Sequence, residues 1–187
     1  MKQAQVLSER DIKTVLSYIA KSAFPARNRC MFLLALYSGM RVGEIAALDV
    51  GDVIDANGKT RDQILLRAYQ TKGNKARSVL LNANARGEIE RYLRHDKRER
   101  GEPLFNSKVG ARFSPNSLVQ VFGRIYRASG IDLATSHSTR RTFITTLAHK
   151  GVNVRVLAAL SGHASISTTQ RYIDLNDKVM RAAVELM

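Results

Sequence analysis

Hydrophobic positions set the outline of the chain. "LSERDIKTVLSYIA" places Ile12, Val15, Leu16 and Ile19 at helical spacing. Ser8 stands ahead of them, with Asp11 three residues on, a capping-box pattern. A second helix is predicted through "ARNRCMFLLALYSG", stopping near Gly39. "RVGEIAALDV" predicts a short third helix with Ile45 and Leu48 on one face. The period then changes. β-rich runs near 51–55, 63–70 and 76–81, broken at Asn57-Gly58 and Gly73-Asn74, predict three antiparallel strands. Helical patterning returns in "NARGEIERYLRHDKRERG", "SPNSLVQVFGRIYRASG", "STRRTFITTLAHKG" and "NVRVLAALSG", with "GEPLFNSKVGARFSP" as a loop or small turn unit. Ser167 and Gln170 resemble a second capping box, which puts Tyr172 on the helix it opens. "NDKVMRAAVELM" predicts a final amphipathic helix with Val179, Ala183 and Leu186 on its apolar face. The expected class is α+β, mainly helical, with a small three-stranded antiparallel sheet.

Charge narrows the function. The 187 residues carry 30 Lys and Arg against 16 acids, a net charge of +14, while 44% of positions are apolar. That is a foldable domain with a strong excess of cations, and a polyanion such as nucleic acid is the first partner to expect. Cys30 is the lone cysteine, so an intrachain disulfide is excluded and a core position is expected. Its apolar run is too short to span a bilayer, and the opening "MKQAQVLSERD" does not read as a secretory signal. The expected setting is cytoplasmic. Asp49, Asp52 and Asp55 lack the alternation and closing Glu of a calcium loop and read as strand-edge and turn acids.

Several residues could carry chemistry. Arg41 and Glu44 share a helix face, so the carboxylate can orient the guanidinium; taken alone they read first as a surface ion pair. His137 and Arg140 have the same spacing, and two arginines from distant segments can grip one phosphate. Lys72 and Lys75 flank the Gly73-Asn74 turn, where a lysine can project into a groove or simply into solvent. His163 and Tyr172 lie nine residues apart. On one continuous helix that is about 900°, which would put them on opposite faces, but Gly162 and the following "HASIS" break it.

In this order, Arg-x-x-Glu, Lys at a Gly-Asn turn, His-x-x-Arg, and Gly-His with a tyrosine nine residues later, the set resembles the tyrosine recombinase (phage integrase) family from about Leu7 to the end. The resemblance implies that Tyr172 attacks a DNA phosphodiester to form a 3′-phosphotyrosine, without metal, ATP or other cofactor. Arg41 and Arg140 match the arginines that stabilise phosphate charge, and Lys72 the hairpin lysine that protonates the leaving 5′-oxygen. Lys75 is its competitor, disfavoured by the match of "TKGNKAR" to Lys-Gly-x-x-Lys-x-Arg. His137 matches the histidine that shares the tyrosine proton, His163 the one that packs on the nucleophile, and Glu44 an acid that supports the site. The implied partner is double-stranded DNA, bound by a homo-oligomer that forms a tetrameric synapse; the final helix either docks on a neighbouring subunit, as in relatives, or packs on its own domain.

The departures are local. The family often has Pro before the His-x-x-Arg histidine and Leu-Arg-His through its end, where this chain has "TSHSTRR", and Ser161 replaces the common Leu before Gly-His. Residues 1–187 read as one catalytic domain, without the N-terminal DNA-clamping domain most relatives carry, similar either to single-domain recombinases of the fimbrial-switch type or to an excised fragment of a longer member. Two rivals share some features: a DNA-binding regulator, from the helix-turn-helix rhythm of 145–172, and a type IB topoisomerase-like enzyme. Neither requires the whole ordered set together with an exchange-type final helix.

Overall fold

In the computed structural model, residues 4–163, 165–170, 172 and 184–185 are described. They form a mainly helical domain with a small antiparallel sheet at one side. The expected final helix of Val179, Ala183 and Leu186 lies outside these residues. No helix among them is long and apolar enough to cross a membrane.

Helix α2 (Pro25–Ser38) is the axis of the core. Its run from Cys30 to Leu36 is buried on all sides, as an all-round apolar helix must be. Around it pack α1 (Glu9–Ala20), α5 (Ala83–His95) and α7 (Ser138–His149). The predicted cap of α1 forms in full: the Asp11 amide donates to Ser8 Oγ at 3.1 Å, and the Ser8 amide to Asp11 Oδ2 at 2.9 Å. Helix α2 ends at Gly39 with φ of 63°, where a Cβ would sit 2.4 Å from the Phe143 ring. Only glycine permits both the left-handed turn and that approach.

Helix α3 (Val42–Ala46) packs on α6 (Pro115–Ala128). The strand expected at 51–55 is instead a helical turn, α4 (Val50–Val53). "DVGDV" is a capping pattern: the Asp49 amide donates to Asp52 Oδ2 at 2.9 Å, while Val50 and Val53 turn inward together. Of the expected pairing, Ile54 keeps a single bridge to Thr60.

The sheet among the described residues has two strands, β1 (Gln63–Leu66) and β2 (Arg77–Leu80), with Ile64 opposite Val79. The expected 63–70 strand stops early because the Gln70 side chain accepts from the Arg67 amide and donates to the Ala47 carbonyl and Asp52, winding 68–70 into a 3₁₀ turn. The three acids at 49, 52 and 55 have protein partners: Asp49 pairs with Arg112, Asp52 caps α4 and accepts from Arg67 and Gln70, and Asp55 accepts from the Asn57 and Lys59 amides.

Helix α8 (Val154–Ser161) ends at Gly162 with φ of 60°, and α9 (Ile166–Gln170) follows. The break between His163 and Tyr172 is therefore real, but its details differ from expectation. Ser167 lies inside the first turn of α9, whose Thr168 amide bonds the Ser165 carbonyl. Tyr172 sits just past the helix, its amide donating to the Thr169 carbonyl at 2.9 Å.

Candidate active site

The ends of two helices make the floor of the site. A helix C-terminus leaves carbonyls without intrahelical partners and carries partial negative charge. Arg140, on the first turn of α7, donates Nη1 to the Gly39 carbonyl at the end of α2 and Nη2 to the Ser161 carbonyl at the end of α8. Arg41, leading into α3, donates Nη2 to the Gly162 carbonyl at 3.3 Å. Arg77, on β2, donates Nη1 to the Leu160 carbonyl at 3.4 Å. Three guanidiniums from three distant segments thus converge on one set of carbonyls.

Glu44 ties two of them together. It is 1% exposed. Oε1 accepts from Arg41 Nη1 at 3.0 Å and Oε2 from Arg77 Nη2 at 2.7 Å. The Arg41 amide also donates to Oε2, which closes the first turn of α3. Burial alone would raise the Glu44 pKa, but the Arg77 hydrogen bond and its charge, with Arg41, hold it below the ordinary carboxylate value. Arg77 had a place in the "TKGNKAR" motif but no role on sequence grounds. The available signal was the motif's closing arginine, at an inward-leaning position of a short strand.

The cluster is short of negative charge, with Glu44 the carboxylate facing Arg41, Arg77 and Arg140. Arg140 feels this most: burial, then Arg41, with Arg77 adding, bring its pKa down to about 9, against the opposing pull of Glu44. His163 is lowered to about 4 by burial and by Arg140, Arg41 and Arg77. His137 is exposed at the lip, yet partial desolvation and then Arg140, Arg41 and Lys72 lower it as well. An arriving anion such as a phosphate offsets the cationic part of all three shifts, as an anion-receiving site requires.

The predicted residues fall into two groups. Arg41, Lys72 and His137 line one cleft of about 480 Å³, with Tyr69, Ser136 and Pro115. The lysine's loop is pinned by Thr71, whose hydroxyl donates to the Lys75 carbonyl at 2.7 Å and accepts from the Lys75 amide at 3.1 Å. Gly73 and Asn74 take φ of 97° and 53°, making the expected turn. Lys75 is exposed and does not line the cleft. Arg140 lies behind, 5% exposed. His163 and Tyr172 form the second group, joined to the first where Arg41 meets Gly162. Their rings stack at 5.9 Å with 17° between planes, and His163 Nδ1 shares a 2.8 Å hydrogen bond with Thr169 Oγ1. Tyr172 does not itself line the cleft.

The chain belongs to the phage integrase family, whose model matches residues 5–179. It is 31% identical over 183 residues to tyrosine recombinase XerA of Pyrococcus furiosus, covering 96% of this chain and 60% of that relative. The crystal structure of XerA recombinase superimposes with a TM-score of 0.76 at 28% identity, over 100% of this chain and 64% of that one. XerH site-specific recombinase bound to difH substrate, in a pre-cleavage complex, gives 0.72 at 26% identity, over 98% and 54%. The chain thus spans about three-fifths of the relatives it matches.

Proposed function

We propose that residues 1–187 are the catalytic domain of a site-specific DNA recombinase that cuts and rejoins double-stranded DNA through Tyr172. The observation that carries this reading is the cluster of Arg41, Arg77 and Arg140, oriented by carbonyls and faced by one carboxylate, with Tyr172 stacked on His163 beside it. The XerH relative, bound to its difH substrate, supports DNA as the ligand.

In this reading the scissile phosphate enters over the arginines. Arg41 and Arg140 keep donors free beyond their carbonyl bonds and stabilise the charge that builds on the non-bridging oxygens. The Tyr172 oxygen bonds to phosphorus and the phosphorus–O5′ bond breaks, giving a 3′-phosphotyrosine and a 5′-hydroxyl. His137, held neutral by partial burial and then by its cationic neighbours, takes the tyrosine proton. Lys72, in the same cleft, gives a proton to the departing 5′-oxygen. His163 stacks on the tyrosine and hydrogen-bonds the phosphate through Nε2, with Thr169 on Nδ1 fixing the ring. A 5′-hydroxyl of a second strand reverses the step. The covalent bond conserves the phosphodiester energy, so neither ATP nor metal is consumed. Strand exchange implies a homo-oligomer on DNA, a tetrameric synapse in the cytoplasm at the nucleoid, with the C-terminal helix exchanged between subunits.

The test is a pool of nicked duplexes with randomised inverted-repeat arms, from which covalent complexes are selected on denaturing gels and sequenced. A recovered adduct on an enriched sequence is expected. Recovery of none, or of the same adduct from Tyr172→Phe, overturns the reading.

A further inference from the structure

Tyr172 has a second neighbour besides His163. The Arg141 guanidinium carbon lies 5.9 Å from the centroid of the tyrosine ring, within range of a cation–π contact. Arg141 follows Arg140 on α7, in the stretch where this chain departs from the family's Leu-Arg-His wording. Its side chain is half-buried and its Nε is buried with no partner, so the guanidinium is not simply a solvated surface charge.

The other side of Arg141 holds the start of the chain. Nη1 donates to the Ala4 carbonyl at 2.7 Å. One residue on, Thr142 Oγ1 accepts the Leu7 amide at 2.8 Å in a buried bond, and Leu7 is itself in the core. The segment from Ala4 to Leu7 is therefore fastened to α7 at two successive residues, and the first of them touches the Tyr172 ring. Among the described residues, Tyr172 is otherwise held by the His163 stack and by its amide bond to Thr169. One guanidinium bridges the amino-terminal segment and the tyrosine.

We propose that Arg141 is a positioning residue for Tyr172: anchored on the Ala4 carbonyl, its guanidinium sets the orientation of the tyrosine ring and couples the amino-terminal segment to attack on DNA. This rests on Tyr172 being the nucleophile. Arg141 touches neither phosphate nor leaving group in this role; it acts through the tyrosine. Displacement of the Ala4 segment then releases the guanidinium and slows cleavage without weakening DNA affinity.

The experiment compares Arg141→Met, which keeps most of the apolar stem and loses the guanidinium, with Arg141→Lys, which keeps the charge. Two quantities are read: single-turnover adduct formation at saturating selected duplex, and the ¹⁹F resonance of 3-fluorotyrosine placed at 172 in the DNA-free protein. A surface cation–π contact sets the scale, so Arg141→Met should slow adduct formation about two- to fivefold. The DNA dissociation constant should stay within about threefold, and Arg141→Lys should recover most of the rate. The fluorine resonance should shift in Arg141→Met and stay near wild type in Arg141→Lys. Full activity in Arg141→Met, a loss confined to DNA affinity, or an unmoved fluorine resonance in Arg141→Met overturns the proposal. If Arg141→Met folds poorly, Arg141→Lys decides: a wild-type fluorine resonance supports the role and a shifted one refutes it. If the wild type forms no adduct, nucleophile attack fails as a function, while the fluorine shift still decides whether Arg141 orients Tyr172.

Discussion

Arg77 forks onto Glu44, Nη2 to Oε2 at 2.7 Å and Nε to Oε1 at 3.2 Å, in a pair almost sealed from water. The same carboxylate holds Arg41, so one acid from α3 fixes two cations against the end of α8. Buried ion pairs contribute little over an apolar replacement, but breaking one strands a charge. Glu44→Gln is therefore expected to cost about 3 kcal/mol of folding stability, read by urea denaturation at neutral pH. The Glu44 pKa is lowered in the fold, so its contribution is complete above the unfolded carboxyl value of about 4.3 and fades as pH falls through the lower folded value. The gap between wild type and Glu44→Gln should narrow only in that acid range. A gap that stays constant to pH 2 contradicts the pairing.

His163 provides an independent pH signal. Its folded pKa is about 4, lowered by burial and by Arg140, Arg41 and Arg77. The unfolded imidazole titrates near 6.5. Between these values the unfolded chain binds the extra proton, so this residue's share of stability falls as pH drops from about 6.5 to 4 and then levels off. Histidine NMR should show His163 neutral at pH 5 in the free protein. Adding orthovanadate as a phosphate stand-in should raise its midpoint, because an anion over the arginines reverses their effect. A His163 midpoint near 6.5 without anion contradicts the clustered charge.

Gly162 predicts a steric effect. At φ of 60°, a Cβ there would meet Arg77 Cδ at 2.6 Å and Nε at 3.0 Å. Gly162→Ala should destabilise by about 1–2 kcal/mol from the left-handed backbone alone, and more from displacing Arg77. Gly87, inside α5 with open space around it, is the control. Gly87→Ala should be neutral or stabilising by about 0.5–1 kcal/mol. Thermal melts of both variants give the comparison.

The two lysines separate by leaving group. Lys72 lines the cleft with Arg41 and His137, and Lys75 does not. Lys72→Ala should slow adduct formation on ordinary DNA by about two orders of magnitude, within the usual range for general acid catalysis. A 5′-bridging phosphorothiolate, whose sulfur leaves without a proton, should restore the rate. Rescue seen with Lys75→Ala instead would move the acid to that residue.

Arg41, Lys72, His137, Arg140, His163 and Tyr172 are candidates in the sequence only as an ordered set, to which the family resemblance assigns roles, while α1, α2, α6, α7 and α8 follow from periodicity. The carbonyls of Gly39, Leu160, Ser161 and Gly162 that seat the arginines were not visible, because every residue has a carbonyl and only the fold says which ones meet. Arg77 stood in a quoted motif yet needed the buried Glu44 opposite it before it had a task. Arg141 read as a departure from a pattern, and only the fold puts it between Ala4 and Tyr172. The third strand failed because Val50 and Val53 suit both a strand and a capped turn, and the acid pair at 49 and 52 favours the turn.

The central claim is that the Tyr172 oxygen is the nucleophile. Mass spectrometry of the covalent complex recovered from a selected nicked duplex, after protease and nuclease digestion, tests it most directly. A nucleotide attached through its 3′-phosphate to the peptide containing Tyr172, and absent from Tyr172→Phe, is the predicted result. The same nucleotide on another residue, such as Tyr69 in the cleft, or a 5′-linked adduct, would contradict it.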